Sequence, residues 1–99
     1  MKAIIVMSAS DNVGNAIEDI VKGDTVAYEV DGERRQFTAL ADIPFGFKAA
    51  VKDIALGGDI VKYKETVGRA AKPIRVGECV HIHNVEGKRG RGDLTEVQA

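Results

Sequence analysis

The pattern of apolar and polar positions changes period several times along this chain, so it predicts short elements. Residues 2–7 carry an unbroken apolar run, Ala3-Ile4-Ile5-Val6-Met7, and read as a buried strand. Asp11 or Asn12 then caps a predicted short helix through about Val21, with Val13, Ala16, Ile17 and Ile20 at helical spacing on one face. Residues 25–30 and 34–40 flank Asp31-Gly32 and read as a hairpin across a strong turn signal. Ile43-Pro44-Phe45-Gly46 reads as a loop, because Pro restricts the residue before it and Gly frees the backbone. Residues 48–55 form a second predicted short helix. Residues 59–63 and 67–71 are predicted short strands, residues 79–83 another, and residues 85–99 a tail. The expected fold is mainly β with two short helices. It forms a single domain over 1–86, followed by an Arg/Gly-rich tail over 87–99.

A weak internal repeat runs through this pattern. Ile20-Val21-Lys22-Gly23-Asp24-Thr25-Val26, Ile54-Ala55-Leu56-Gly57-Gly58-Asp59-Ile60-Val61 and Ile74-Arg75-Val76-Gly77-Glu78-Cys79-Val80 each read as an apolar anchor, a turn with Gly, one acidic residue, and then a strand. The spacings of 34 and 20 residues are irregular, unlike a solenoid with a fixed period. They suggest one small fold whose corners are built by the same turn.

Composition narrows the function. A net charge of −1 argues against a general affinity for nucleic acid or anionic membranes. A single cysteine leaves no internal disulfide, which fits a reducing compartment. The apolar run at the start is too short for a signal peptide or a membrane helix, so a cytoplasmic location is expected. With five aromatic residues and no Trp, platforms for stacking bases are scarce.

The candidate chemistry gathers near the end. Cys79-Val80-His81-Ile82-His83-Asn84 holds both histidines and the cysteine. On a straight strand His81 and His83 would share a face about 6.6 Å apart, while Cys79 and His83 would be about 13 Å apart. Such a strand supplies at most two ligands of one metal, and the remaining ligands of a zinc site would have to come from elsewhere. The alternatives are a solvated strand face, or histidines that contact a polar ligand or a partner. Cys79 reads as a small core residue sooner than as a nucleophile. Arg89 and Arg91, interleaved with glycine, suit carboxylate or phosphate, and equally suit a solvated terminus. Lys48 follows the Pro-Phe-Gly loop, either facing an anion or snorkelling past the Phe pair to solvent.

Taken in order, these segments resemble the small N-terminal module of the altronate and galactarate dehydratase family, which also occurs as a separate subunit in sulfolactate sulfo-lyases. The resemblance rests on Asp11-Asn12-Val13, on Ile43-Pro44-Phe45-Gly46 with Lys48, and on Lys62-Tyr63 with Val67-Gly68-Arg69-Ala70. It ends on Val80-His81-Ile82-His83-Asn84 and Arg89-Gly90-Arg91-Gly92-Asp93-Leu94. It implies an SAF-type β-clip fold and the role of small subunit in a two-component hydro-lyase or sulfo-lyase acting on a sugar acid or other 2-hydroxy acid. It also implies a large catalytic dehydratase subunit as partner. That partner would carry a divalent metal, iron or similar, with no cofactor bound by this chain alone. Lys48, Arg89 and Arg91 would then clamp carboxylate, His81 or His83 would carry a proton, and Asn84 would bond a hydroxyl. The family commonly has His where this chain has Phe47, which implies altered substrate or activity if that His handles substrate. The rival readings are a non-catalytic scaffold module and RNA binding through the Arg-Gly run. A homo-oligomer is compatible with either reading.

Overall fold

The repeated turn occurs four times, and it builds the frame. The full unit is Ala-x-x-Asp-Ile-x-x-Gly, at residues 16–23, 39–46, 50–57 and 70–77, with Pro73 replacing Asp in the last copy. In the computed structural model, which describes residues 1–87, the units associate in two pairs. Ile20 and Ile43 exchange both backbone hydrogen bonds, at 3.0 and 2.8 Å. Ile54 and Ile74 do the same, both at 2.8 Å. Each Gly N–H donates to the first Ala carbonyl of the partner unit: Gly23 to Ala39, Gly46 to Ala16, Gly57 to Ala70 and Gly77 to Ala50. These glycines lie at φ between 81° and 96°, the third position of a type II turn, where a side chain would be strained.

The Asp of each unit serves the opposite turn. Asp19 accepts from Phe45 N, Asp42 from Lys22 N, and Asp53 from Val76 N. Pro73 has no carboxylate, so the second pair has one such bond where the first has two. The four isoleucines and four alanines are all buried. The first pair sits in a core cluster with Ile4, Val26 and Tyr28, and the second in a separate cluster with Val13, Ile60 and Val80.

The strands connect these corners, and none of the described residues is helical. They are β1 (Lys2–Ile5), β2 (Val13–Ala16), β3 (Thr25–Val30), β4 (Glu33–Thr38), β5 (Lys48–Ala50), β6 (Asp59–Lys62), β7 (Glu65–Ala70), β8 (Cys79–Val80) and β9 (Val85–Gly87). One sheet has the order β4-β3-β1-β2-β5-β8, and the other β6-β7-β9. Among the described residues only β1 and β3 pair in parallel. The expected hairpin is present, turning at Asp31 (φ 53°) and Gly32 (φ 79°).

Both predicted helices are corrected to strand and turn, for the same reason. The Ala-to-Ile spacing of the repeat, Ala16 to Ile20 and Ala50 to Ile54, places two buried residues four apart and imitates a helical stripe. At the first site β2 instead threads between β1 and β5. Gly14 permits this, because a Cβ there would lie 2.7 Å from Val6 Cγ2 and 2.8 Å from the Ile5 carbonyl oxygen. At the second, β5 lies between β2 and β8. Asp11 is a cap of another kind. It is 1% exposed, and its carboxylate accepts from Tyr63 N and Lys64 N across the molecule, at 3.0 and 2.9 Å. Those two residues form the β6–β7 turn at φ of 55° and 66°, unusual for non-glycine residues. Asn12 completes the clasp, bonding Val61 and Asp59 from the other sheet.

Candidate functional site

The predicted strand over residues 79–83 is also corrected. β8 ends at Val80, and residues 81–84 form a tight turn in which Asn84 N donates to the His81 carbonyl at 3.0 Å. Asn84 is 0% exposed and fastens this turn. Its Oδ1 accepts from His81 N at 3.0 Å, and its Nδ2 donates to the Cys79 carbonyl at 2.9 Å. The side chain expected to meet a substrate hydroxyl is thus hydrogen-bonded inside the turn, to the backbone of His81 and Cys79.

His81, Ile82 and His83 are all exposed on this turn, so the face-sharing geometry of an extended strand does not apply to the two histidines. The His81 ring lies against Phe47, with centroids 4.5 Å apart and planes at 47°. Phe47 leads directly into Lys48, which pairs across to Val80. The second and fourth repeat units therefore deliver Lys48 and His81 to one place. There they line a groove of about 510 Å³ with Lys62, Ile60, Val67, Val80, Ile82 and Val85. His83 does not line it. Two half-buried lysines and an imidazole over an apolar floor suit an anionic ligand. Neither lysine is in a salt bridge among the described residues.

Cys79 is buried on β8 opposite Ala49. Burial pushes its thiol up, and the nearby Lys48 ammonium offsets part of that rise. A protonated, buried thiol is a core group rather than a nucleophile. Among the described residues no three His, Cys, Asp or Glu side chains gather as a metal-binding group. Arg89 and Arg91, and with them the Arg/Gly tail, lie outside the described residues. Lys62 was legible only as part of the Lys62-Tyr63 motif, since what brings it to the groove is the Asp11 clasp 51 residues earlier. Among the described residues no helix is long and apolar enough to cross a membrane.

The family profile of the altronate/galactarate dehydratase SAF domain matches residues 2–88. The chain is 36% identical over 88 residues to the (2R)-sulfolactate sulfo-lyase subunit alpha of Chromohalobacter salexigens, covering 86% of this chain and 94% of that protein. It is 41% identical over 59 residues to the subunit of the same name from Paracoccus pantotrophus, covering 60% and 88%. It is 38% identical over 99 residues to the altronate dehydratase of Bacillus subtilis, spanning 99% of this chain but 18% of that protein. This chain belongs to the altronate/galactarate dehydratase SAF-domain family.

Proposed function

We propose that this SAF-domain chain is the small subunit of a two-component lyase, acting in the cytoplasm on a sugar acid or other 2-hydroxy acid. The observation that carries the proposal is the groove into which two repeat units deliver Lys48 and His81, on a chain that aligns at 36% identity over 94% of the length of a protein named as a sulfo-lyase subunit. A β-clip is the arrangement this reading gives to the paired turns.

Loss of water or sulfite next to a carboxylate requires an α-proton to leave and negative charge to build on an enolate-like system. A cation fixed against the carboxylate lowers the cost of that charge. Lys48 has this role, and the apolar floor of the groove strengthens it by excluding water. His81, exposed at the groove, is placed to carry a proton. Arg89 and Arg91 are further carboxylate ligands in this reading, and His83 is a weaker candidate than His81. The divalent metal belongs to the larger chain, and no step on this chain passes through it.

The test is reconstitution. The chain and a larger dehydratase subunit should co-purify and turn over acid only when mixed, and His81→Ala should lower turnover about 100-fold. Full turnover by either chain alone would overturn the two-component reading. His81→Ala with normal turnover would remove His81 from the chemistry.

A further inference from the structure

The two faces of the six-stranded sheet are covered unequally. One packs Ile4, Val6, Ala16 and Val26 into the larger core cluster. On the other, the β6–β7–β9 sheet covers the end near β5 and β8, where Val13, Ala50 and Val80 pack with Ile60 and Ala70. Over β3, β1 and the end of β2 that second face is bare among the described residues. There Ala3 and Ala27, cross-strand partners, floor a trough of about 530 Å³. Ile5 and Ile17 wall it, each 47% exposed, and Lys2, Glu29 and Arg34 stand at its rim. Met1 also lines the trough. Met7, 59% exposed, neighbours Ile5 and Ile17 around a smaller hollow that Asp11 also lines. Both methionines of the chain thus stand on this surface. An apolar floor inside a charged rim is the anatomy of a protein interface, and Met side chains adapt to a partner's contour.

Two observations bear on what covers this face. First, one cross-strand row, Ile5–Asn15–Lys48–Val80, runs from the trough to the groove that holds Lys48 and His81. Cross-strand partners share a face, so a body seated on the trough abuts Lys48. Second, the same module occurs in two settings. Nearly all of this chain aligns with 18% of an altronate dehydratase, and it also aligns with 94% of a protein named as a subunit. What one backbone joins in the longer protein, a surface must hold in a subunit.

We propose that this bare face is the docking surface for the larger chain of the lyase, with Ile5, Ile17 and Met7 as its apolar anchors. This rests on the two-component reading above and adds to it the surface that joins the components. The partner would present an apolar ridge to the trough, with polar groups facing Lys2, Glu29 and Arg34. Its body would then border the groove at Lys48.

Calorimetric binding of the full chain to the larger dehydratase subunit tests the proposal. Ile17→Asp and Met7→Asp should each weaken association about 30-fold, the scale of a hot-spot residue. Met7→Asp decides the matter if Ile17→Asp fails to fold. Ile17→Met should bind as the parent does. So should Leu56→Asp, an exposed position on a turn of the second pair. In the complex, Met7 should be shielded from oxidation by peroxide. Association unaffected by either Asp variant would overturn the proposal, and so would Met7 oxidising equally fast free and bound. Self-association of the chain that Ile17→Asp abolishes, and that the larger subunit does not displace, would assign the face to a second copy and overturn it as well. Turnover separates this inference from the lyase assignment. Turnover with association insensitive to the face rejects only this inference. Face-dependent association without turnover rejects only the lyase. No association at all rejects the two-component reading and this proposal with it.

Discussion

The two pairs of turns differ in what they add to a common frame. The first pair, around Ile20 and Ile43, is the more complete, with both reciprocal carboxylate bonds and the larger core cluster. The second, around Ile54 and Ile74, lacks one bond at Pro73 and rests on a smaller cluster. The groove opens where the second unit of one pair meets the last unit of the other, at Lys48 and His81. A repeat therefore builds rigidity from many equivalent hydrogen bonds, and chemistry enters where a unit hands its strand to a non-repeated residue.

Gly77 is where the pairs press on each other, so it gives the largest expected effect. A Cβ there would stand 2.4 Å from the Thr38 carbonyl oxygen, in a backbone region with φ at 96°. Gly77→Ala should cost about 4 kcal/mol in denaturant unfolding, the sum of overpacking and backbone strain. An unchanged midpoint would show that the two pairs are independent.

Asp11 comes next. Asp11→Ala should cost about 2 kcal/mol, because two backbone donors in a left-handed turn lose their acceptor. Amide exchange at Tyr63 and Lys64 should rise far more than at Ile20 or Ile43. Uniform exchange would mean that Asp11 does not locally hold the Lys62 hairpin.

The carboxylate bonds give a smaller difference and address the comparison itself. Asp42→Ala should cost about 1 kcal/mol, the net worth of one such hydrogen bond. Pro73→Asp should be near neutral, since an added carboxylate is offset by the lost stiffness of proline. If Pro73→Asp proves strongly stabilising, the second pair is weakened by its missing bond rather than adapted to it.

The smallest effect concerns Cys79. Its folded-state pKa is raised by burial, so the protonated thiol is the form the fold favours. The stability it contributes is complete at neutral pH and is lost as pH climbs through the alkaline range where an unfolded cysteine ionises. Lys48→Met should move the pH of Cys79 alkylation higher still, since it removes the one charge that favours the thiolate. A shift to lower pH would mean that Lys48 does not face Cys79.

Much of the frame was legible in the residues. The hairpin at Asp31-Gly32 followed from a two-residue turn that needs positive φ, and the turn glycines at positions 23, 57 and 77 were found with their anchoring isoleucines. The fourth copy escaped notice because Ile43-Pro44-Phe45-Gly46 read as a plain Pro-Gly loop. The false helices arose inside the repeat itself, where Ala and Ile four apart obey two geometries at once. Lys48 and His81 were named as candidates from their neighbours in sequence, and the groove contains both. The place of Lys62 in the groove could not be read in this way, because it depends on what another strand places beside it.

By itself, the sequence determined a mainly β chain with repeated glycine turns and a late cluster of histidines, because turn chemistry and strand propensity act over a few residues. Only the tertiary structure decided that the turns pair two by two, that Asn84 faces inward, and that lysines from two sheets share one groove. Those outcomes depend on hydrogen bonds between residues up to 53 positions apart, such as Asp11 to Lys64, which no local pattern encodes.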